Sequence, residues 1–161
     1  MMRIAMGSDH AGFELKEHLK GYLQDKGHEV IDVGTHSTES VDYPIYGAAA
    51  ARKVADGEAV TAIVVCGTGV GIGIAANKVH GIRCAITSDV YTARMSRAHN
   101  NANALALGGR VIADGLAEEI VDVWLATDFE GGRHARRVNE ITALEDGQDI
   151  TADDLDEHDQ L

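Results

Sequence analysis

One cysteine stands where an apolar run gives way to glycines: Val60-Thr-Ala-Ile-Val-Val-Cys66, then Gly67-Thr-Gly-Val-Gly71-Ile-Gly73. The β-branched run reads as a central strand of a parallel sheet, buried on both faces. In open α/β sheets ligands bind at the carboxyl ends of strands. The glycines let backbone N–H groups approach an anion closely, and the helix expected to begin near Ile72 aims its positive end there. A thiol in such a nest has its thiolate form favoured, which points to chemistry as well as binding. The competing reading is a small buried hydrophobe, which is the default for Cys84 in the apolar stretch 82–86.

Other polar residues cluster around expected strand ends. The first strand delivers Gly7-Ser-Asp9-His10-Ala-Gly12, a carboxylate beside an imidazole just before a helix. Asp9 is a candidate ligand there, or alternatively a plain helix cap. Farther on come His99-Asn100-Asn101-Ala-Asn103, in which Asn101 and Asn103 also suit a simple turn, and then Gly108-Gly-Arg110. Glu130-Gly-Gly-Arg133-His134-Ala-Arg136-Arg137 places Arg133 and Arg137 four apart, on one helix face. Two guanidinium groups so placed suit a phosphate. The alternative is a solvated basic face balancing the acids Glu118, Glu119 and Asp122. A thiol base, a backbone anion site, imidazoles and arginines together suit proton transfer beside the carbonyl of a phosphorylated sugar. The eight histidines show no metal-ligand spacing such as HExxH, so no metal site is expected. Gly71-Ile-Gly73-Ile-Ala-Ala76 fits a dinucleotide fingerprint only loosely: it begins five residues past the strand, and no acidic residue closes a second strand about 20 positions on.

The elements that must carry these groups alternate. Strands are expected at 3–7, 29–33, 60–66, 82–87 and 104–107. Helices are expected at 13–26, 43–55 (with Pro44 in its first turn), from near 72 to 76, 89–99 capped by Asp89, 116–126 and 133–144. Five strands with intervening helices imply a three-layer α/β/α sandwich, Rossmann-like, around a five-stranded parallel sheet, with an extra C-terminal helix. That surplus arginine-bearing helix suits packing on a partner copy.

With 161 residues, 45% of them hydrophobic, the chain fits a single globular domain, bounded at 1–145. The net charge of −12 is mostly a tail: eight acids and no Lys or Arg fall in 145–161, whereas 1–144 carry 18 acids against 14 bases. Residues 146–161 are therefore expected to form a solvated, mobile terminus. No basic surface for nucleic acid, no membrane span and no signal-peptide layout is evident. Two cysteines outside CxxC spacing fit a reducing cytoplasm.

These motifs, with Asp42-Tyr43-Pro44, Cys66-Gly-Thr-Gly-Val-Gly71, Ile74-Ala-Ala-Asn-Lys78, Gly108-Gly-Arg110 and Glu130-Gly-Gly-Arg-His134, resemble the ribose-5-phosphate isomerase B family from about residue 3 to 144. The resemblance implies an aldose–ketose isomerase of the non-oxidative pentose phosphate pathway that needs no cofactor. It implies a homodimer, in some relatives paired into a tetramer, with active sites at the interface. Cys66 then matches the base that moves a proton between C1 and C2. Gly67, Thr68, Gly69, Val70 and Gly71 match the anion hole for a cis-enediolate, with the Thr68 hydroxyl taking part. His99 matches the acid that opens the sugar ring. Asp9, His10, Tyr43, Asn100, Arg110, Arg133 and Arg137 match substrate-binding positions, the arginines and His10 chiefly for phosphate. Relatives acting on galactose 6-phosphate, allose 6-phosphate or four-carbon sugar phosphates share much of the pattern. A non-catalytic sugar-phosphate or nucleotide sensor is the alternative of another class, and it would have no need of Cys66.

Overall fold

The computed structural model describes residues 1–152. Five strands, β1 (Arg3–Ser8), β2 (Glu29–Asp32), β3 (Thr61–Cys66), β4 (Cys84–Ile86) and β5 (Ala104–Gly108), form one sheet in the order β2-β1-β3-β5-β4. Every neighbouring pair is parallel. The helices are α1 (Phe13–Asp25), α2 (Tyr43–Ala55), α3 (Val70–Ala76), α4 (Val90–Ala98), α5 (Asp114–Ala126) and α6 (Arg133–Glu145). None is long and apolar enough to cross a membrane.

Each layer follows from composition. β3 is wholly buried along Thr-Ala-Ile-Val-Val-Cys, as a strand covered on both faces must be. One core contains Leu15, Leu19, Leu23, Ile120, Val121 and Trp124 from α1 and α5, packed on Ile4, Ile63 and Leu105. The other is built from smaller residues, including Ala50, Ala51, Ile72 and Ala76 of α2 and α3 against Ala62, Val64 and Ala106. The alanines let α2 and α3 lie close on the sheet. Asp89 caps α4, its Oδ1 accepting the Thr92 N–H at 2.6 Å. Trp124 donates its indole N–H to Ser96 Oγ at 3.1 Å, which ties α5 to α4.

The expected strand at 82–87 is shorter, because β4 is an edge strand that pairs only with β5 over three residues. The fifth helix begins two residues earlier than expected, at Asp114, an acid in its first turn. After α6, Gly147 and Gln148 donate back to Leu144 and Ala143, and Asp146 Oδ1 lies 2.7 Å from His80 Nε2. The start of the acidic segment is thus attached to the body of the fold. Residues 153–161 of the expected tail lie outside the described residues.

A buried cation that the sequence reading passed over anchors the β1–β2 side. Lys16 is fully buried, and its Nζ donates to Asp32 Oδ1 and to the Thr35 carbonyl, both at 2.7 Å. Burial alone would raise the Asp32 carboxyl, but bonds from Lys16, Lys20 and the Gly34 N–H outweigh it and hold the pKa at about 2. A carboxylate held low contributes stability above its unfolded pKa of about 4, and that stability is lost as pH falls towards 2. Asp32→Asn should therefore cost about 3 kcal/mol in urea unfolding at pH 7 by stranding the ammonium. It should also flatten the pH dependence of stability between about 4 and 2. An unchanged midpoint would mean that the Thr35 carbonyl and Glu17, whose Oε1 lies 3.2 Å from Nζ, satisfy Lys16 between them.

Candidate active site

The sheet order places a topological switch between β1 and β3, where successive crossovers leave in opposite directions. Cys66 ends β3 at that crevice and is 4% exposed. Its Sγ accepts the Gly69 N–H at 3.2 Å. Gly69 has φ +82°, and a Cβ there would stand 2.9 Å from the Leu107 carbonyl carbon, so only glycine turns this N–H back onto the sulfur without strain. The loop is fixed from the neighbouring strand as well: Gly109 N–H donates to the Cys66 carbonyl at 2.8 Å and Arg110 N–H to the Gly67 carbonyl at 2.9 Å. The Arg110 guanidinium lies over Gly67. Thr68 is exposed, and its Oγ1 accepts the Val70 N–H at 3.2 Å.

From the β1 side, Asp9 is buried, donates its N–H to the Val65 carbonyl at 3.2 Å and accepts the Gly12 N–H at 3.0 Å. It therefore orders the turn into α1, while the cap position itself is Gly12 with no side-chain cap. His10 Nδ1 accepts the Val41 N–H at 3.2 Å, which leaves Nε2 as the donor of the neutral ring. The Tyr43 ring lies against the Cα of Gly71. Cys66, Gly67, Thr68, Gly69, Val70, Gly71, Asp9, His10, Tyr43 and Arg110 thus gather at the carboxyl end of the sheet.

The remaining expected residues stand elsewhere. α4 runs antiparallel to the strands, so His99 and Asn100 at its end precede β5, whereas Cys66 pairs with Gly108 at the far end of β5. Four residues of strand, about 13 Å, separate the two levels. The expectation that every cluster lies at strand carboxyl ends is corrected for His99 and Asn100: helix polarity delivers them to the opposite pole. Arg133 and Arg137 share that pole, because α6 lies across it. One end of α6 meets His99 through His134, and the other meets His80 and Gly81 through Asp146 and Glu145.

The His99 and His134 rings stack with centroids 4.1 Å apart and planes 7° from parallel. Glu130 Oε2 lies 3.7 Å from His99 Nε2 and 3.8 Å from His134 Nε2. Desolvation, aided by His99 and Arg133, pushes the His134 imidazole below its ordinary pKa. Two imidazoles and a carboxylate could ligate a metal. Stacked rings aim their nitrogen lone pairs in parallel planes, however, which suits acid–base work better than convergence on one ion. Glu130 and His134 were not singled out from sequence, although their i, i+4 spacing carried the signal. Two of the three acids expected to balance Arg133 and Arg137 are engaged on α1 instead: Glu118 with His18 at 2.8 Å, and Asp122 with Tyr22 at 2.6 Å and Lys26 at 2.9 Å. Asn101 and Asn103 make turn contacts, as their simpler reading had it.

A family model described as ribose/galactose isomerase matches residues 4–141, and the chain belongs to that family. It is 52% identical over 145 residues to the ribose-5-phosphate isomerase B of Escherichia coli K12, a match covering 90% of this chain and 97% of that protein. It is 49% identical over 129 residues to galactose-6-phosphate isomerase subunit LacB of Clostridium acetobutylicum, covering 80% and 75%. Among solved structures, the ribose-5-phosphate isomerase B of Clostridium thermocellum superimposes with TM-score 0.90 at 55% identity, covering 91% of this chain and 99% of that one.

Cys84 differs from Cys66 in kind. Burial pushes its thiol up to about 12, and it packs against the α2–α3 core. In a Cys66→Ser variant, native protein treated with iodoacetamide at pH 8 should gain no mass until it is denatured. Rapid native labelling would show that Cys84 is open to reagent.

Proposed function

We propose that this chain interconverts D-ribose 5-phosphate and D-ribulose 5-phosphate by proton transfer through a cis-enediolate, in sites shared between two copies. The observation that carries the reading is a buried thiol, held by the Gly69 N–H, at the switch point of a fold that matches ribose-5-phosphate isomerase B structures. In the open-chain aldose, the Cys66 thiolate removes the C2 proton, the electron pair moves towards C1 and O1, and the oxyanion meets backbone N–H groups of the loop 67–71. Within the cis-enediolate the O2 hydroxyl proton passes to O1, the electron pair on O2 forms the C2 carbonyl, and the thiol returns its proton to C1, giving the ketose. The Gly69 N–H, donated to Sγ at 3.2 Å, fixes where the sulfur stands for the two transfers. Asp9 and Arg110 would hold sugar hydroxyls beside it, and Tyr43 would wall the site. A sensor would have no use for this thiol.

A second copy supplies what one chain separates. His99, acting as the ring-opening acid, Asn100, and the phosphate-binding Arg133 and Arg137 lie at the pole away from Cys66, and His10 would complete the phosphate site. Apolar side chains left exposed around α3 support a partner at the Cys66 pole: Tyr43 on Gly71, Ile86 on Gly73, and Val70 and Ile74 at 49% and 51% exposure. α6 likewise exposes Ile141 and Leu144. The likeness to a galactose-6-phosphate isomerase subunit makes six-carbon sugar phosphates the natural competitors, and a four-, five- and six-carbon panel ranks them.

Cys66→Ser should keep the fold and lose about 10²–10⁴-fold in kcat, the usual contribution of a general base. Wild-type turnover would remove Cys66 from that role. Mixing inactive Cys66→Ser and His99→Asn proteins tests the shared site. If the two residues come from opposite chains, each hybrid holds one intact site and recovers up to half the activity. No recovery, with exchange verified by native mass spectrometry, would place both residues in one chain.

A further inference from the structure

Arg83 is half-buried, yet among the described residues no carboxylate lies within ion-pair distance of it. Its donors go to backbone instead. Nε donates to the Asn100 carbonyl at 3.0 Å and Nη2 to the Asn101 carbonyl at 2.9 Å, so the planar fork spans two consecutive peptide units. The same turn is gripped from its other side. Arg97, seated over the Trp124 ring, donates to the Ala102 carbonyl and to Asn101 Oδ1. Asn103 closes the arrangement, its Oδ1 accepting the Arg83 N–H at 2.8 Å and its Nδ2 donating to the Gly81 carbonyl at 2.9 Å. Within this frame Asn101 sits at φ +46°, in the left-handed region that asparagine enters more readily than other residues with a Cβ. The residue just before this position is Asn100, whose side chain is exposed.

From this fork we infer that Arg83 is a positioning residue, holding the Asn100 peptide so that the Asn100 side chain meets the sugar phosphate in the shared site. The inference rests on the proposed role of Asn100. Arg83 touches no substrate itself. Its groove, about 520 Å³ and lined by Asn77, Ile82, Cys84, Asn100, Ile141 and Glu145 among others, lies on the β4 side at the pole away from Cys66. Two guanidinium groups spent on three consecutive carbonyls, Arg83 through two nitrogens and Arg97 through Nη1, are more than a surface turn needs. An adjacent side chain that must stand still accounts for them. Lysine keeps the charge and an aliphatic stem but has one nitrogen in place of the coplanar Nε and Nη2 that meet two consecutive carbonyls, so Arg83→Lys loosens the turn without emptying the site of its cation.

The test is a double-mutant cycle on kcat/KM for ribose 5-phosphate, with melting curves and native mass verifying folded, assembled protein. Arg83→Lys alone should lose about 10-fold or more, since small misplacements of a positioning group cost up to about 100-fold. In an Asn100→Ala background the same change should cost no more than about twofold, because the side chain through which Arg83 acts is gone. Independent losses that multiply would overturn the inference and make Arg83 a general structural support. A fully active Arg83→Lys would overturn it too. If Asn100→Ala by itself keeps wild-type kcat/KM, the assignment of Asn100 to the site fails, and the inference fails with it. A damaged Asn100→Ala beside an intact Arg83→Lys removes the inference alone.

Discussion

Backbone meeting backbone at the carboxyl ends of β1, β3 and β5 is the constraint on which the site depends. A Cβ on Gly12 would lie 2.3 Å from the Val65 carbonyl oxygen, and one on Gly108 would lie 2.7 Å from the Thr68 carbonyl. No side chain fits between these segments, so three strand ends converge to main-chain contact. The Cys66 sulfur and the loop after it inherit their geometry from that convergence. The thiol is fixed by a hydrogen bond from the Gly69 backbone N–H, which cannot change rotamer, and this is the kind of preorganisation that charge development requires.

Parallel topology has a second effect. Helices return the chain to the start of the next strand, so residues at helix ends collect at one pole and residues at strand ends at the other. Cys66 and its glycine loop belong to the strand ends. The stacked imidazoles, Asn100 and the paired arginines belong to the helix ends. Within one chain the two sets stand a strand length apart.

Much of this was legible in the residues. The second helix, Tyr43–Ala55, agrees at both ends, because Pro44 marks its start and an alanine-rich run carries it forward. The β3 strand and its glycine turn were equally plain. The edge strand β4 was overestimated, since local composition does not reveal that only one neighbour pairs with it. The pole of His99 follows from helix direction, since α4 returns the chain to the start of β5. Lys16 and Arg83 were opaque for another reason: each reaches partners far along the chain, Asp32 and the Thr35 carbonyl for one, the Asn100 and Asn101 carbonyls for the other, and no spacing rule encodes such partners.

Both borders of the sheet are stubs, four residues in β2 and three in β4. Such short borders offer almost no unpaired ladder for another strand to extend. A second copy would therefore find side chains on helices, not a sheet to continue. Contact of that kind is discrete and self-limiting. Short borders thus guard a crowded protein against growing into an open-ended β-stack.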